Sequence, residues 1–280
     1  MGRGKRKKSM PATLAVDRHT VGEHDEEGRA IAEEHTVLRV LVGSTVHGLA
    51  VGGTDDRDEM AIACEPPERA LGTQRFEHWI YRTQPEGERS GPGDLDLSVY
   101  ALHKFAKLCL GGNPTVMLPL FVDDRDCLAM DDVGRELRAN APLFASRQAG
   151  DRFIGYLRAQ RERLLGERGQ MNVHRPELVE AYGYDTKFGS HAIRLGYQGI
   201  EYLTTGRLTL PMSEQARTHI IAIRTGQISL AEVVAEAEEL EQELKRLRDK
   251  ADMPEHPDYV AANALIARLY IQHWREKGLI

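Results

Sequence analysis

The stretch that decides the fold is VLRVLVGSTVHGLAVGGTDDRDEMAIA, residues 37–63. Val37 to Val42 is apolar and largely β-branched, as a buried strand requires, and Gly43 ends it. A second strand, DEMAIACEPP, is stopped by Pro66 and Pro67. Between them lies a glycine-serine turn and a burst of acids: Asp55, Asp56, Asp58 and Glu59. In a strand, residues two apart project on one face, so Asp56 and Asp58 stand side by side with Cα atoms about 6–7 Å apart. Two anions beside a core repel unless a proton, a basic partner or a bound cation intervenes. A solvated hairpin turn is the alternative, and the rest of the chain has to decide.

Working outward, EEGRAIAEEH before the first strand reads as a short helix. After the second strand, FEHWIYRTQ reads as a half-buried strand, PEGERSGPG as a loop, and DLDLSVY, with strict alternation, as a fourth strand. ALHKFAKLCLGG has apolar residues at helical spacing and a glycine stop. From about Asp131 onward strand signals vanish. VGRELRANAPLF, RFIGYLRAQRERLLGERG, FGSHAIRLGYQGIEYLTTG, SEQARTHIIAIRTG and SLAEVVAEAEELEQELKRLRDK are helical patterns, each closed by glycine, proline or a polar break. The last opens on a capping box, Ser229 and Glu232, and its apolar repeat of about three heptads fits docking on its own domain. The expected organisation is therefore α+β: a basic disordered tail over 1–20, a mixed-sheet domain over 21–128 and an all-helical domain over 129–280.

Composition narrows the class. At 280 residues and 41% hydrophobic content the chain builds packed cores, and no apolar stretch approaches the roughly 20 residues of a membrane span. The basic start lacks the apolar segment of a signal peptide, so the expected compartment is the cytoplasm. Cys64, Cys109 and Cys127 form no CxxC pair and read as buried thiols. The net charge is −6, yet Arg3, Lys5, Arg6, Lys7 and Lys8 open the chain without an acid among them. Such a run contacts a phosphate backbone or simply solubilises, while the acidic body confines any nucleic-acid site to a local patch.

Asp94 and Asp96 repeat the Asp-x-Asp arrangement in the fourth strand. If Asp96 converges on Asp56 and Asp58, three carboxylates make an all-oxygen site suited to magnesium or manganese. A strand ending in Gly43-Ser44 also presents backbone N–H groups and a hydroxyl to phosphate oxygens. At this point the sequence resembles the DNA polymerase β-like nucleotidyltransferase superfamily: a strand, Gly-Ser, a short helix, an Asp-x-Asp strand and a third acid on a later strand. Gly43, Ser44, Asp56, Asp58 and Asp96 take these positions.

The segments DLSVYALHKFAKLCLGGNPTVMLPLF and GYDTKFGSHAIRLGYQGIEYLTTGRLTLP narrow the resemblance to a bacterial and phage family of nucleotidyltransferases associated with RNA ligases and RNA repair. Asp96 precedes Tyr100 by four positions and Asn113-Pro114 closes the next helix, as in that family. The likeness runs from about residue 36 to 260. Ala61 and Pro119 depart from the family pattern at positions that bear on substrate shape. What the resemblance implies is two-metal nucleotidyl transfer, with Asp56 and Asp58 bridging both ions and Asp96 completing the catalytic one.

On the helix DTKFGSHAIRLGYQ, Lys187, His191 and Arg194 are spaced i, i+4, i+7 and form a row of three potential cations. The bare pattern fits a solvated basic stripe, a buried histidine, or phosphates; the resemblance favours the triphosphate. Tyr184 offers a ring to stack on a base and Asp185 a helix cap. His47 reads as a surface loop residue, and Asp55 and Glu59 as flanking surface charge. Arg158, Arg161, Arg163 and Arg168 either track an RNA backbone or, with Glu162 and Glu167, make a salt-bridged face. The expected activity is transfer of a nucleotide from an NTP to a hydroxyl acceptor, an RNA (tRNA) 3′ end in RNA repair or processing. Toxin-like nucleotidylation of a protein or small molecule, and an idle nucleotide or nucleic-acid binding module, are the alternatives.

Overall fold

β1 (Thr36–Leu41) is buried at its four central residues and lies between two partners, which is why its sequence is apolar from Val37 to Leu41 except at Arg39. The computed structural model describes residues 23–52, 55–84, 90–167 and 175–280. The basic amino-terminal run, Gly53, Arg168 and most of the segment PEGERSGPG fall outside them. Around β1 a five-stranded mixed sheet runs β3-β4-β2-β1-β5, with β2 (Arg57–Ala63), β3 (His78–Arg82), β4 (Leu95–Ala101) and β5 (Cys127–Met130). β2 and β4 are parallel, and every other pairing is antiparallel.

The parallel pairing matters most. It aligns Asp58 with Asp96, so two acids far apart in sequence share one register position on neighbouring strands. A parallel pair needs a crossover, and here α3 (Pro67–Leu71) and the antiparallel edge strand β3 fill it. One face of the sheet is covered by α1 (Glu23–His35), whose Ile31 and Ala32 pack with Ala61, Ala63, Trp79, Tyr81, Leu97 and Val99. The other face joins the main core. There Val40, Met60 and Ile62 meet Leu102 and Phe105 of α4 (Leu102–Leu110) and, beyond them, the helices of the second half.

Those helices are α5 (Asp132–Ala139), α6 (Ala149–Leu164), α7 (Pro176–Tyr182), α8 (Thr186–Thr205), α9 (Glu214–Arg224), α10 (Leu230–Lys250) and α11 (Tyr259–Lys277). α8 is the central one, packed on α6, α9 and α10. Gly199 lets it approach both long neighbours: a methyl there would lie 2.7 Å from Leu244 Cδ2 and 2.9 Å from Phe153 Cβ. α10 begins with the expected capping box, Ser229 Oγ accepting from Glu232 N while Glu232 accepts from Ser229 N. It buries Val233, Ala237, Leu240 and Leu244 in its own chain, as the docking expectation required.

α3, β5, α7 and α11 were not anticipated from the sequence. β5 is only four residues long with two exposed, too short for a periodic signal. α11 returns to the sheet half, packing on α4 and α5, with Trp274 Nε1 donating to Glu65 O at 2.9 Å and Tyr270 OH to Glu65 Oε1 at 2.8 Å. No helix among the described residues is long and apolar enough to cross a membrane.

Candidate active site

The three expected acids meet. Asp56, Asp58 and Asp96 each offer a carboxylate oxygen, and these oxygens all lie within 4.8 Å of one another. Asp58 and Asp96 owe this to the β2–β4 register, and Asp56 to its place just before β2. Burial, and then the charges of Asp56 and Asp96, push the Asp58 carboxyl up to about 6. Among the described residues no arginine or lysine forms an ion pair with Asp56 or Asp58. Asp96 is held from behind: Ser90 Oγ donates to Oδ2 at 2.8 Å and Gln84 Nε2 to Oδ1 at 3.0 Å, with Arg82 Nε 3.5 Å from Oδ1. Asp94, its sequence partner, does something else. It accepts from Thr83 Oγ1 and from Gly91 N, and so shapes the loop into β4.

Converging carboxylates of this kind fit a hard divalent cation. All three are partly exposed to one cavity of about 380 Å³. Gly43 and Ser44 line it too, at the start of α2 (Gly43–His47). Gly43 has φ +66, and a methyl on it would lie 1.9 Å from Asp58 Oδ2, so only glycine fits there.

Lys187, His191 and Arg194 of α8 line the same cavity. The row is not three cations, however. His191 is pushed well below its ordinary value by burial and then by Arg194 and Lys187, so it is neutral at physiological pH between two charged neighbours. Arg194, lowered by burial to about 10, stays charged. Its Nη1 donates to His47 Nε2 at 2.9 Å and to Gln198 Oε1 at 2.8 Å, both neutral partners, and no carboxylate meets it among the described residues.

His47 corrects the sequence reading. It is 3% exposed at the end of α2, buried because α8 packs over it, and its pKa is driven well down by burial and then by Arg194. A guanidinium only donates, so His47 Nε2 accepts from Arg194. Asp55 and Glu59 are corrected as well. Glu59 is 2% exposed, bonded to Arg39 and to Arg57 Nε at 2.6 Å. Asp55 accepts from Val51 N at 2.9 Å and pairs with Arg224 Nη2 at 3.0 Å. Burial opposes ionisation of Asp55, but the hydrogen bonds from Arg224 and Val51 outweigh it and hold its pKa down.

Tyr184 is buried and its hydroxyl donates to Ile228 O at 2.7 Å, so it cannot stack on a base. Asp185 caps α8 as expected, accepting from Lys187 N at 3.0 Å and Phe188 N at 3.3 Å. Arg158, Arg161 and Lys245 converge on the buried Glu241, so the first two are salt-bridged to α10, a partner outside the expected Glu162 and Glu167. Cys64 and Cys109 are buried thiols, and Cys127 is partly exposed. The sequence reading missed Arg224, Tyr100, Thr115 and Leu118, which also line the cavity. Tyr100 was in view as a spacing marker; Arg224 carried no local signal, because its partners are about 170 residues away.

A mixed sheet that aligns two metal-ligand-type acids beside a Gly-Ser turn, followed by helices that close the site with cations, defines a nucleotidyltransferase-like α+β protein. The chain belongs to the RNA repair pathway DNA polymerase beta family (RlaP), whose model matches residues 19–268. Among solved structures, a nucleotidyltransferase-like protein from Exiguobacterium sibiricum 255-15 covers 90% of this chain and 80% of its own at 11% identity. Its TM-score of 0.28 is too low to bear on function. The comparison with curated protein sequences gave no match.

Proposed function

We propose that this protein transfers a nucleotidyl group from an NTP to a hydroxyl at an RNA 3′ end, releasing pyrophosphate. One observation supports the reading above the others: three converging carboxylates share a single cavity with Lys187 and Arg194. Asp56, Asp58 and Asp96 would hold Mg²⁺ or Mn²⁺, and the metal would supply charge neutralisation and acidify the acceptor hydroxyl. Lys187 and Arg194 bind the β and γ phosphates as charge-assisted donors, and the Gly43-Ser44 turn takes a phosphate oxygen on its backbone N–H groups. The neutral His191 donates or accepts a hydrogen bond without adding charge. Asp96, steadied by Ser90 and Gln84, takes up the proton of the attacking hydroxyl. A new bond forms between that oxygen and the α-phosphorus, and the bond from the α-phosphorus to the bridging oxygen breaks. Lys187, with no carboxylate within bonding distance among the described residues, is free to follow the departing pyrophosphate.

An RNA acceptor is favoured by the family's RNA-repair setting and by the basic run Arg3 to Lys8. The test is incubation with each α-labelled NTP, Mg²⁺ or Mn²⁺, and total RNA, followed by separation of labelled RNA from labelled protein. Metal-dependent label in RNA is expected. Label on protein alone would instead support protein nucleotidylation, and triphosphate binding without any label would support an idle binding module.

A further inference from the structure

The acids of the Asp55–Glu59 burst have three different fates. All four line the cavity, but Glu59 is committed to Arg39 and Arg57 and Asp55 to Arg224, while Asp56 and Asp58 have no basic partner among the described residues. Arg224 is the last residue of α9, and its guanidinium divides between two parts of the sheet half. Nη1 donates to Leu49 O, just after the α2 turn, and Nη2 to Asp55 Oδ1 at 3.0 Å, one residue before Asp56. The other Asp55 oxygen accepts from Val51 N at 2.9 Å, so both of its oxygens are committed. The Arg224 carbonyl in turn accepts from Thr186 Oγ1 at 3.0 Å, at the first turn of α8 and next to Lys187. Both side chains of the Arg224–Asp55 pair are largely buried, 14% and 11% exposed.

We propose that Arg224 is a positioning residue for the metal acids. By fixing Leu49 and Asp55 with one fork, it sets the path of the chain as it enters β2 and so the placement of Asp56. It also pairs with Asp55, a cavity-lining carboxylate that would otherwise repel the triphosphate and compete for the ion. Because Thr186 hangs on the same residue, the start of α8, and with it Lys187, is registered against the acids. This inference rests on the reading of Asp56, Asp58 and Asp96 as metal ligands.

Charge and position make opposite predictions. Arg224 is a cation close to a cation site, so by Coulomb's law alone its neutralisation tightens metal binding, and its replacement by lysine changes nothing. A fork that must hold a carbonyl and a carboxylate at once cannot be replaced by an ammonium. Partners that orient ligands without touching the metal typically govern about 10–100-fold of its affinity.

The test is Mn²⁺ binding to the full chain without nucleotide, read by electron paramagnetic resonance of the free ion, for wild type, Arg224→Lys and Arg224→Gln, with thermal unfolding confirming that each variant is folded. The Mn²⁺ Kd is expected to rise about tenfold or more in both variants. Unchanged affinity in Arg224→Lys, or tighter binding in Arg224→Gln, overturns the positioning role and leaves the metal reading standing. Failure of the folded wild type to bind Mn²⁺ overturns both.

Discussion

Gly43 and Asp58 are in direct contact: the position a Gly43 side chain would occupy is 1.9 Å from Asp58 Oδ2, and the Gly43 backbone is left-handed at φ +66. The turn before α2 and the second acid of the motif therefore constrain each other. Gly43→Ala both strains the backbone, at about 1 kcal/mol, and pushes the Asp58 carboxylate out of line. The expected result is a fall in transfer rate of at least tenfold with a raised Mn²⁺ requirement. Unfolding should move by only a few degrees. Steady-state kinetics across a metal titration checks it; wild-type metal dependence in Gly43→Ala contradicts it.

Asp58 itself gives a stability prediction with a defined sign. Its carboxyl titrates near 6 in the folded chain against 3.8 as the ordinary value, so the folded state holds the extra proton between these two pH values. Ionised Asp58 then opposes folding increasingly as pH rises through that window, and fully above pH 6. Allowing for solvent screening, the penalty is on the order of 1 kcal/mol, worth about 2–4 °C. Asp58→Asn is expected to raise the unfolding midpoint at pH 7.5 by about that amount, leave it unchanged near pH 4, and abolish nucleotidyl transfer. Mn²⁺ should raise the midpoint of wild type and not of the variant. Calorimetry at the two pH values, with and without metal, tests each part.

Much of this site was legible in the sequence because its signals are local. The apolar run into Gly43-Ser44 and the Asp-x-Asp spacing state their own geometry, and the i, i+4, i+7 row of α8 states which residues share a face. The Asp58–Asp96 register was not local; it rested on the resemblance, and the parallel β2–β4 pairing supplies it. What stayed illegible depends on contacts across the chain. Nothing near His47 says that α8 buries it, and nothing near Asp55 or Arg224 says that they meet. α11 went unread, and the bonds from its Trp274 and Tyr270 to Glu65, just past β2, are a property of the fold.

Arg194 holds two neutral partners with one nitrogen, His47 at 2.9 Å and Gln198 at 2.8 Å, which leaves its charge for a ligand. A lysine cannot keep these contacts and reach a phosphate as a fork. Arg194→Lys is expected to weaken NTP binding about tenfold, ~1.4 kcal/mol, and to leave Mn²⁺ binding in the absence of nucleotide within twofold of wild type. Fluorescent-nucleotide titration measures the first and paramagnetic resonance the second. Equal losses in both would mean a general disturbance of the fold.

At the other end of β2, His103 bridges Glu65 at 2.9 Å and Glu77 at 3.1 Å. The bond His103 donates to Glu65 raises the His103 pKa, burial opposes this, and Glu77 adds to the rise, while His103 and Lys104 pull Glu77 down to about 2. The His103 contribution is fully present below the ordinary histidine value of about 6.5 and is lost as pH rises through its higher folded value. The gap in unfolding midpoint between wild type and His103→Asn should therefore be widest near pH 6 and close toward pH 9. A gap that stays constant over that range contradicts the charged bridge.

The central claim is that the carboxylate trio directs attack at the α-phosphate. The most direct measurement incubates the protein, Mg²⁺ or Mn²⁺ and RNA with an equimolar NTP mixture labelled either at the α or at the γ position, in parallel with Asp58→Asn. The account predicts that α-label enters RNA, that γ-label leaves as pyrophosphate in equal amount, and that the variant does neither. Entry of γ-label into the acceptor, or release of orthophosphate in place of pyrophosphate, would contradict it.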